Sequence, residues 1–240
     1  MKNLVALAVA TSALMVGQAQ AALQHGFEVG ARVGYKWQNN TDLNFAGGFP
    51  ADPNEQLYYS KKLHDNGAVG GLFVGYNWVC NDLLLGLDAS ADWLDSGDRH
   101  DFLTKDNLNE TYLNSVRYKR DAMYGVSARM GYKAMDFVTP FVRLGIERVN
   151  NKLAQDVDYL TAAPPLRLLG LAESTHKSGY LVGLGADMPV FNKHTNVRIE
   201  YQYHWQNRAN FDFNNVNIHG SVDVKPKAHF LTIGLVWSQV

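Results

Sequence analysis

Eight segments of this sequence show a period-two alternation of apolar and polar residues, and this alternation limits the possible folds more than any other feature. From Phe27 to Gln38, the odd-numbered residues are apolar and the even-numbered residues are charged, polar or glycine. Successive side chains of a β-strand point to opposite faces of a sheet, so each such segment forms a strand with one apolar face. The other seven segments span residues 68–78, 83–93, 122–132, 140–147, 180–188, 197–206 and 231–238. The pattern predicts an all-β fold.

The connections between these strands alternate between short and long. Short links lie near Asn81-Asp82, at 134–137 and at 192–196. The long connections span residues 39–67, 94–117, 150–177 and 207–227. Long outer loops and short periplasmic turns are typical of outer-membrane barrels, and an even number of strands lets such a sheet close. We therefore predict an eight-stranded antiparallel up-and-down transmembrane β-barrel with both termini in the periplasm.

Aromatic residues at the strand ends support a membrane location. If odd strands run outward, the aromatic residues form two rings, as expected where amphipathic side chains meet the lipid headgroups. The inner ring would hold Phe27, Trp78, Tyr132, Phe137, Phe191 and Trp237, and the outer ring Trp37, Trp93, Tyr118, Tyr180 and Trp205. The alternative is a soluble barrel or β-sandwich, whose apolar face would point inward to a core.

The first 21 residues have the features of a secretory signal peptide. Lys2 precedes an apolar run over residues 4–16, and small residues surround a cleavage point at 19–21. The apolar run is shorter than the roughly 20 residues that a helix needs to cross a bilayer. We predict cleavage after Ala21 and one barrel domain over residues 22–240.

Composition excludes several other functions. The formal net charge is −1 and acids and bases are intermixed, so we expect no nucleic-acid partner. Cys80 is the single cysteine, so no intramolecular disulfide forms. The eight histidines lack the spacing of metal ligands, and we predict neither a metal site nor a cofactor.

The predicted inward face carries charged residues of both signs in equal number. They are Glu28, Arg32, Lys36, Asp88, Asp92, Arg129, Lys133, Arg143, Glu147, Asp187, Arg198 and Glu200. Eight strands enclose room only for side chains or one small ligand, and unpaired charges there would be costly. We predict that these charges neutralise one another and plug the interior. The alternative is a narrow, gated ion path through a pair that opens.

Catalysis is the alternative from a different functional class. His204 has the inward parity, and Ser90 and Asp92 are also inward on the third predicted strand. A hydrolase needs a nucleophile, a base and an orienting group within hydrogen-bond distance, and the sequence does not bring these three together. We predict no catalytic residues and no enzymatic activity.

Five segments carry a resemblance to a known family: FEVGARVGYKW, GGLFVGYNW, YGVSARMGYK, TPFVRLGIERV and GYLVGLGADMPV. They resemble the OmpA-type and opacity-type small outer-membrane β-barrels across essentially the whole mature chain. The resemblance implies a Gram-negative outer membrane, contact with lipopolysaccharide and the barrel assembly machinery, and a structural, host-interaction or weak pore role. Some similar barrels act on lipid A or peptides. Such proteins commonly end on an aromatic residue, whereas here three residues follow Trp237.

The long connections carry two further candidate features. Basic residues near the outer rim could pair with lipopolysaccharide phosphates, although solvated charges without a dedicated partner are the alternative. These residues are Arg117, Lys119, Arg120, Arg148 and Arg208. Residues 160–171 are unusually apolar, which indicates either a binding patch or a segment that covers the barrel mouth.

Overall fold

The computed structural model describes residues 25–38, 41–49, 52–63, 66–105, 111–159, 166–190, 194–214 and 219–239. The predicted signal peptide, residues 1–21, lies outside these ranges. The described residues form twelve strands: β1 (Gly26–Trp37), β2 (Thr41–Phe49), β3 (Asp52–Leu63), β4 (Gly67–Cys80), β5 (Leu83–Lys105), β6 (Thr111–Tyr132), β7 (Thr139–Tyr159), β8 (Leu166–Pro189), β9 (Thr195–Gln206), β10 (Ala209–Asn214), β11 (His219–Val224) and β12 (Lys227–Gln239).

Eight of these strands form a closed barrel in the order β1-β12-β9-β8-β7-β6-β5-β4. Every neighbouring pair is antiparallel, which confirms the predicted up-and-down architecture. The residue pairs that start at Gly26 lead around all eight strands to Lys36, ten residues further along β1. This offset and the strand number together set the tilt of the strands and the narrow interior.

The two ends of the barrel differ. At the end that we call the turn end, β4 joins β5 through Asn81-Asp82, and Asn81 adopts a positive φ of 55°. Asparagine is one of the few residues that tolerate this conformation in a tight turn. The opposite end, which we call the hairpin end, carries the long connections.

The barrel wall is apolar outside and polar inside. Leu144 and Ile146 on β7 are 61% and 57% exposed, whereas Arg143 and Glu147, which flank them in the strand, are 1% and 6% exposed. A soluble barrel or sandwich would show the reverse distribution. The exposed apolar band is the arrangement expected of a wall that faces lipid.

Two of the predicted loops, 94–117 and 150–177, are largely strands, so the loop prediction was wrong there. β5 and β6 pair as far as Lys105 and Thr111, and β7 and β8 pair as far as Tyr159 and Leu166. Outside lipid the outward face of a strand becomes polar, and the apolar alternation that marks a membrane strand therefore ends before the ladder does.

The other two predicted loops form a second sheet. Residues 39–67 contain β2 and β3, and residues 207–227 contain β10 and β11. The four strands pair in the order β10-β11-β2-β3. Since β11 pairs with β2, these two connections are joined to each other by backbone hydrogen bonds.

A β-bulge changes which residues of β6 face inward near the hairpin end, and β5 carries a register shift at the same height. The register of β5 and β6 shifts between Trp93 and Ser96, and that of β6 and β7 shifts between Arg120 and Met123. An extra residue in a strand moves all later side chains to the other face. On the turn-end side of the bulge in β6, Met123 and Arg129 are buried. On its hairpin-end side, Tyr118 and Arg120 are buried instead.

We expect the mature protein, folded in detergent, to keep its structure in cold dodecyl sulfate and to migrate differently after boiling. A closed ladder has no unpaired strand edge from which unfolding can begin. Gel electrophoresis of heated and unheated samples measures this property. Identical migration of the two samples would contradict a closed barrel.

Candidate functional site

A group of charged side chains, which we call the charge cluster, fills the interior of the barrel. Its members come from six strands and are each at most 9% exposed. They are Glu28 and Arg32 on β1, Asp88 and Asp92 on β5, Arg129 on β6, Arg143 and Glu147 on β7, Asp187 on β8, and Arg198 and Glu200 on β9. Because these residues share the inward parity of their strands, closure of the sheet brings them together.

Four charged residues near the turn end, together with Asn77, form the most extensive network of the interior. Arg129 donates to Glu28 Oε2 at 2.8 Å and to Asp187 Oδ2 at 2.7 Å. Arg198 donates to Asp187 Oδ1 at 2.7 Å and to Glu28 Oε1 at 3.1 Å. Asn77 donates to Glu28 at 2.7 Å and accepts from Arg129 at 2.9 Å. Each carboxylate is therefore shared by two guanidinium groups.

Arg143 lies between two carboxylates. Its Nη2 is 3.2 Å from Asp88 Oδ2, and its Nε is 2.9 Å from Glu200 Oε1. None of these four atoms makes an aligned hydrogen bond, so the attraction is mainly coulombic. The carboxylates of Asp88 and Glu200 thus both lie against Arg143.

Arg32 and Asp92 form a separate pair nearer the hairpin end. Arg32 Nε donates to Asp92 Oδ1 at 2.8 Å, and Arg32 Nη2 donates to Oδ2 at 2.6 Å. This is the bidentate geometry in which a guanidinium matches a carboxylate. Lys36 is also fully buried, four residues beyond Arg32 on β1.

His204 contacts Glu147 and Gln202. Its Nδ1 donates to Glu147 Oε2 at 2.7 Å, and its Nε2 is 2.9 Å from Gln202 Oε1. Both ring nitrogens are thus occupied by residues other than Ser90, and Asp92 is bound by Arg32. The arrangement is not that of a nucleophile, a base and an orienting group.

Two phenylalanine rings lie within the charge cluster, and the sequence interpretation missed them. The guanidinium carbon of Arg198 is 4.9 Å from the ring centroid of Phe73, and that of Arg129 is 5.1 Å from the centroid of Phe141. A Cβ atom at Gly30 would overlap the ring of Phe73, and one at Gly185 would overlap that of Phe141. Phe73 and Phe141 have the inward parity of β4 and β7, and that parity was the available signal.

Nearer the hairpin end the interior becomes apolar. We call this region the apolar layer, and its members are at most 5% exposed. They are Val69, Leu94, Met123, Val149, Ala228 and Phe230. Phe230 also lies 4.2 Å from the His204 ring, centroid to centroid. The charge cluster is therefore separated from the hairpin end by packed apolar side chains.

Two residues predicted from the sequence lie elsewhere. Lys133 is not in the interior, because β6 ends at Tyr132 and the lysine pairs with Asp136 in the following turn at 2.9 Å. Tyr118, predicted in the outer aromatic ring, is fully buried and donates to Asn151 Oδ1 at 2.6 Å. The bulge in β6 turns Tyr118 inward.

Of the other predicted ring residues, Phe191 lies outside the described residues. The remaining nine lie on the outer surface of the barrel: Phe27, Trp37, Trp78, Trp93, Tyr132, Phe137, Tyr180, Trp205 and Trp237. At the hairpin end Trp37 stacks on His229 with 5.7 Å between centroids, and Trp205 stacks on Tyr180 at 5.8 Å. Cys80 is exposed and has a free thiol at the turn end.

Basic side chains face one another on the outside of the extended hairpins. Arg99 is directly opposite Arg117, and Lys119 is directly opposite Lys152. Asp121 pairs with both lysines, and the hydrogen bond from Lys152 lowers the pKa of its carboxyl group. Like charges opposite one another in a sheet are destabilising unless an anion lies between them.

No described helix is long and apolar enough to span a membrane. Within the same residues, no group of three or more histidine, cysteine, aspartate or glutamate side chains is placed to hold a metal ion.

An apolar outer wall around a narrow, charged interior defines a transmembrane β-barrel protein. The profile of the outer membrane protein beta-barrel domain matches residues 6–238, and the chain belongs to this family. The family places the protein in the outer membrane of Gram-negative bacteria. Comparison with curated proteins finds no match.

Several solved structures have a similar backbone path. Neisserial surface protein A is 14% identical, with 89% of this chain and 97% of that chain covered and a TM-score of 0.41. OprG from Pseudomonas aeruginosa is 12% identical, with 90% and 98% covered and a TM-score of 0.44. The outer membrane protease OmpT from Escherichia coli is 8% identical, with 90% and 99% covered and a TM-score of 0.47.

We predict that Arg143→Met lowers the free energy of unfolding by ~3–5 kcal/mol, because it leaves Glu200 as an uncompensated buried charge. Adding Glu200→Gln should restore part of this loss. Urea unfolding in lipid vesicles, followed by tryptophan fluorescence, measures both changes.

Arg117→Met is the matched control, since Arg117 is exposed and should change stability by less than about 0.5 kcal/mol. If Arg143→Met were as stable as the unmodified protein, the interior charges would be solvated by water rather than by one another.

Proposed function

We propose that this protein is a closed outer-membrane scaffold that presents its long hairpins at the cell surface and contacts a host or partner molecule through them. The observation that carries the proposal is the contrast between the blocked interior and the extended hairpins. Ion-paired side chains and the apolar layer occupy the barrel, whereas β5 to β8 extend well beyond it with polar outer faces. Binding residues commonly lie on connections that a rigid scaffold holds in place.

The interior supports little or no ion conduction. An ion would have to separate the paired groups of the charge cluster and then pass between the packed side chains of the apolar layer. Weak pore activity would therefore require rare rearrangement of both the charge cluster and the apolar layer.

The hairpin surface suits an anionic neighbour. Arg117 and Arg148 are exposed close to the outer rim, and the opposed pair Arg99–Arg117 is stabilised if a phosphate group lies between its members. Lipopolysaccharide is the anionic lipid that surrounds such a barrel. Partner proteins would meet the connections 39–67, 94–117, 150–177 and 207–227.

The proposed route to the membrane starts with removal of residues 1–21 and ends with insertion by the barrel assembly machinery. In this proposal residues 22–240 form the mature domain, and both termini face the periplasm. The last strand, β12, would present Trp237 to the assembly machinery although three residues follow it.

An enzyme acting on lipid A or peptides has less support. His204 is buried, and both of its ring nitrogens contact Glu147 and Gln202. A substrate would have to displace these contacts and pass the apolar layer before it could reach the imidazole.

We expect the purified, refolded protein to show no sustained current in a planar lipid bilayer. The double variant Arg143→Ala/Phe230→Ala, which weakens both barriers, should open more often than the unmodified protein. Leu231→Ala is the matched control, because Leu231 is the outward neighbour of Phe230. A large steady current in the unmodified protein would refute the closed interior.

Orientation can be tested in a Cys80→Ala background with single cysteines at two exposed positions. An impermeant maleimide added to intact cells should label Asp101→Cys on the β5 extension and should not label Asp82→Cys in the β4–β5 turn. Labelling of lysed cells provides the control for reactivity. The opposite result would reverse the proposed topology.

A further inference from the structure

Arg120 is a buried base that the charge cluster does not include. It lies on β6 just beyond the bulge and is 0% exposed. Nε, Nη1 and Nη2 of its guanidinium group have no hydrogen-bond partner among the described residues. Arginine stays charged in proteins, so this site holds a positive charge without water contact at its surface.

The carboxylates that could neutralise Arg120 are already engaged. Each of the six acids in the charge cluster contacts Arg32, Arg129, Arg143, Arg198 or His204. Asp121, the next residue in the chain, is on the outer face, where Lys119 and Lys152 bind it. None of these seven carboxylates therefore pairs with the Arg120 guanidinium.

The residues next to Arg120 do not solvate it either. Its cross-strand partner Asn151 is fully buried, accepts from Tyr118 through Oδ1 and donates through Nδ2 to the carbonyl oxygen of Val149. Val149 and Met123 belong to the apolar layer. A charge buried in such surroundings is strongly destabilising unless another charge compensates it.

A second polar group is unsatisfied where the barrel meets its extensions. Gln206 ends β9 and is 3% exposed, and neither its Oε1 nor its Nε2 has a hydrogen-bond partner among the described residues. An amide Nε2–H is a donor that can bind an anion. Two buried, unsatisfied donors thus face the interior at this level of the barrel.

We propose that Arg120 anchors an internal site for one small monovalent anion of the chloride type, with the amide of Gln206 as a further donor. A monovalent anion neutralises the single guanidinium charge, whereas a doubly charged phosphate would leave an excess negative charge in the same apolar surroundings. Full burial favours a compact ion over an organic carboxylate. The anion completes the interior between the charge cluster and the hairpin extensions.

The test uses the full mature protein refolded in detergent, with sodium chloride or sodium gluconate at equal ionic strength and pH. A ligand that binds only the folded state raises the unfolding midpoint as its concentration increases. Chloride should raise the midpoint of the unmodified protein relative to gluconate. Arg120→Met should abolish this difference, and in gluconate it should be at least as stable as the unmodified protein.

Arg117→Met is the matched control, because Arg117 is an exposed arginine on the same strand, and it should retain the chloride effect. Equal midpoints of the unmodified protein in chloride and gluconate would overturn the proposal, as would a chloride effect that persists in Arg120→Met.

Crystallography of the unmodified protein is a second test, which does not require Arg120→Met to fold. Crystals grown in sodium bromide should show an anomalous bromide peak within hydrogen-bond distance of the Arg120 guanidinium. A guanidinium surrounded only by water in such a crystal would overturn the proposal.

Discussion

Closure of the backbone ladder is the constraint on which the rest of this structure depends. In hydrocarbon, an unpaired backbone N–H or C=O group has no water to bond, so the sheet must return to its first strand. Here β1 pairs with both β4 and β12, and the closed circuit has a ten-residue offset. Eight strands with this offset leave an interior that side chains fill. Residues that alternate along each strand must then face either lipid or one another.

The interior charges follow from this narrow geometry. Buried ion pairs need not stabilise a protein relative to well-packed apolar residues, but a single unpaired charge is strongly destabilising. The network of Glu28, Arg129, Asp187 and Arg198 joins β1, β6, β8 and β9, which are not all neighbours in the sheet. A change of register in any of these strands would separate a carboxylate from its guanidinium. The network therefore disfavours alternative registers.

Beyond the charge cluster, the polarity of the two faces is exchanged. The outward face becomes basic and polar on the hairpin extensions, while the inward face gains the apolar layer and buried residues such as Leu153, Phe211 and Val222. Water surrounds the extensions, so they pack like a soluble domain, with an apolar centre. This exchange explains why apolar alternation did not identify the extensions as strands.

The sequence by itself determined the number of membrane strands, their inward and outward faces, the two kinds of connection and most of the outer aromatic residues. These properties depend on alternation within a strand, which is local. Only the tertiary structure decided that Arg143 meets both Asp88 and Glu200, that Phe73 and Phe141 lie among the arginines, and that Tyr118 and Arg120 turn inward. Glu28 and Arg198, for example, are 170 residues apart. Their contact depends on the offset of the closed ladder, and the burial of Tyr118 and Arg120 depends on a bulge of one residue. Local alternation encodes neither the offset of the ladder nor the position of the bulge.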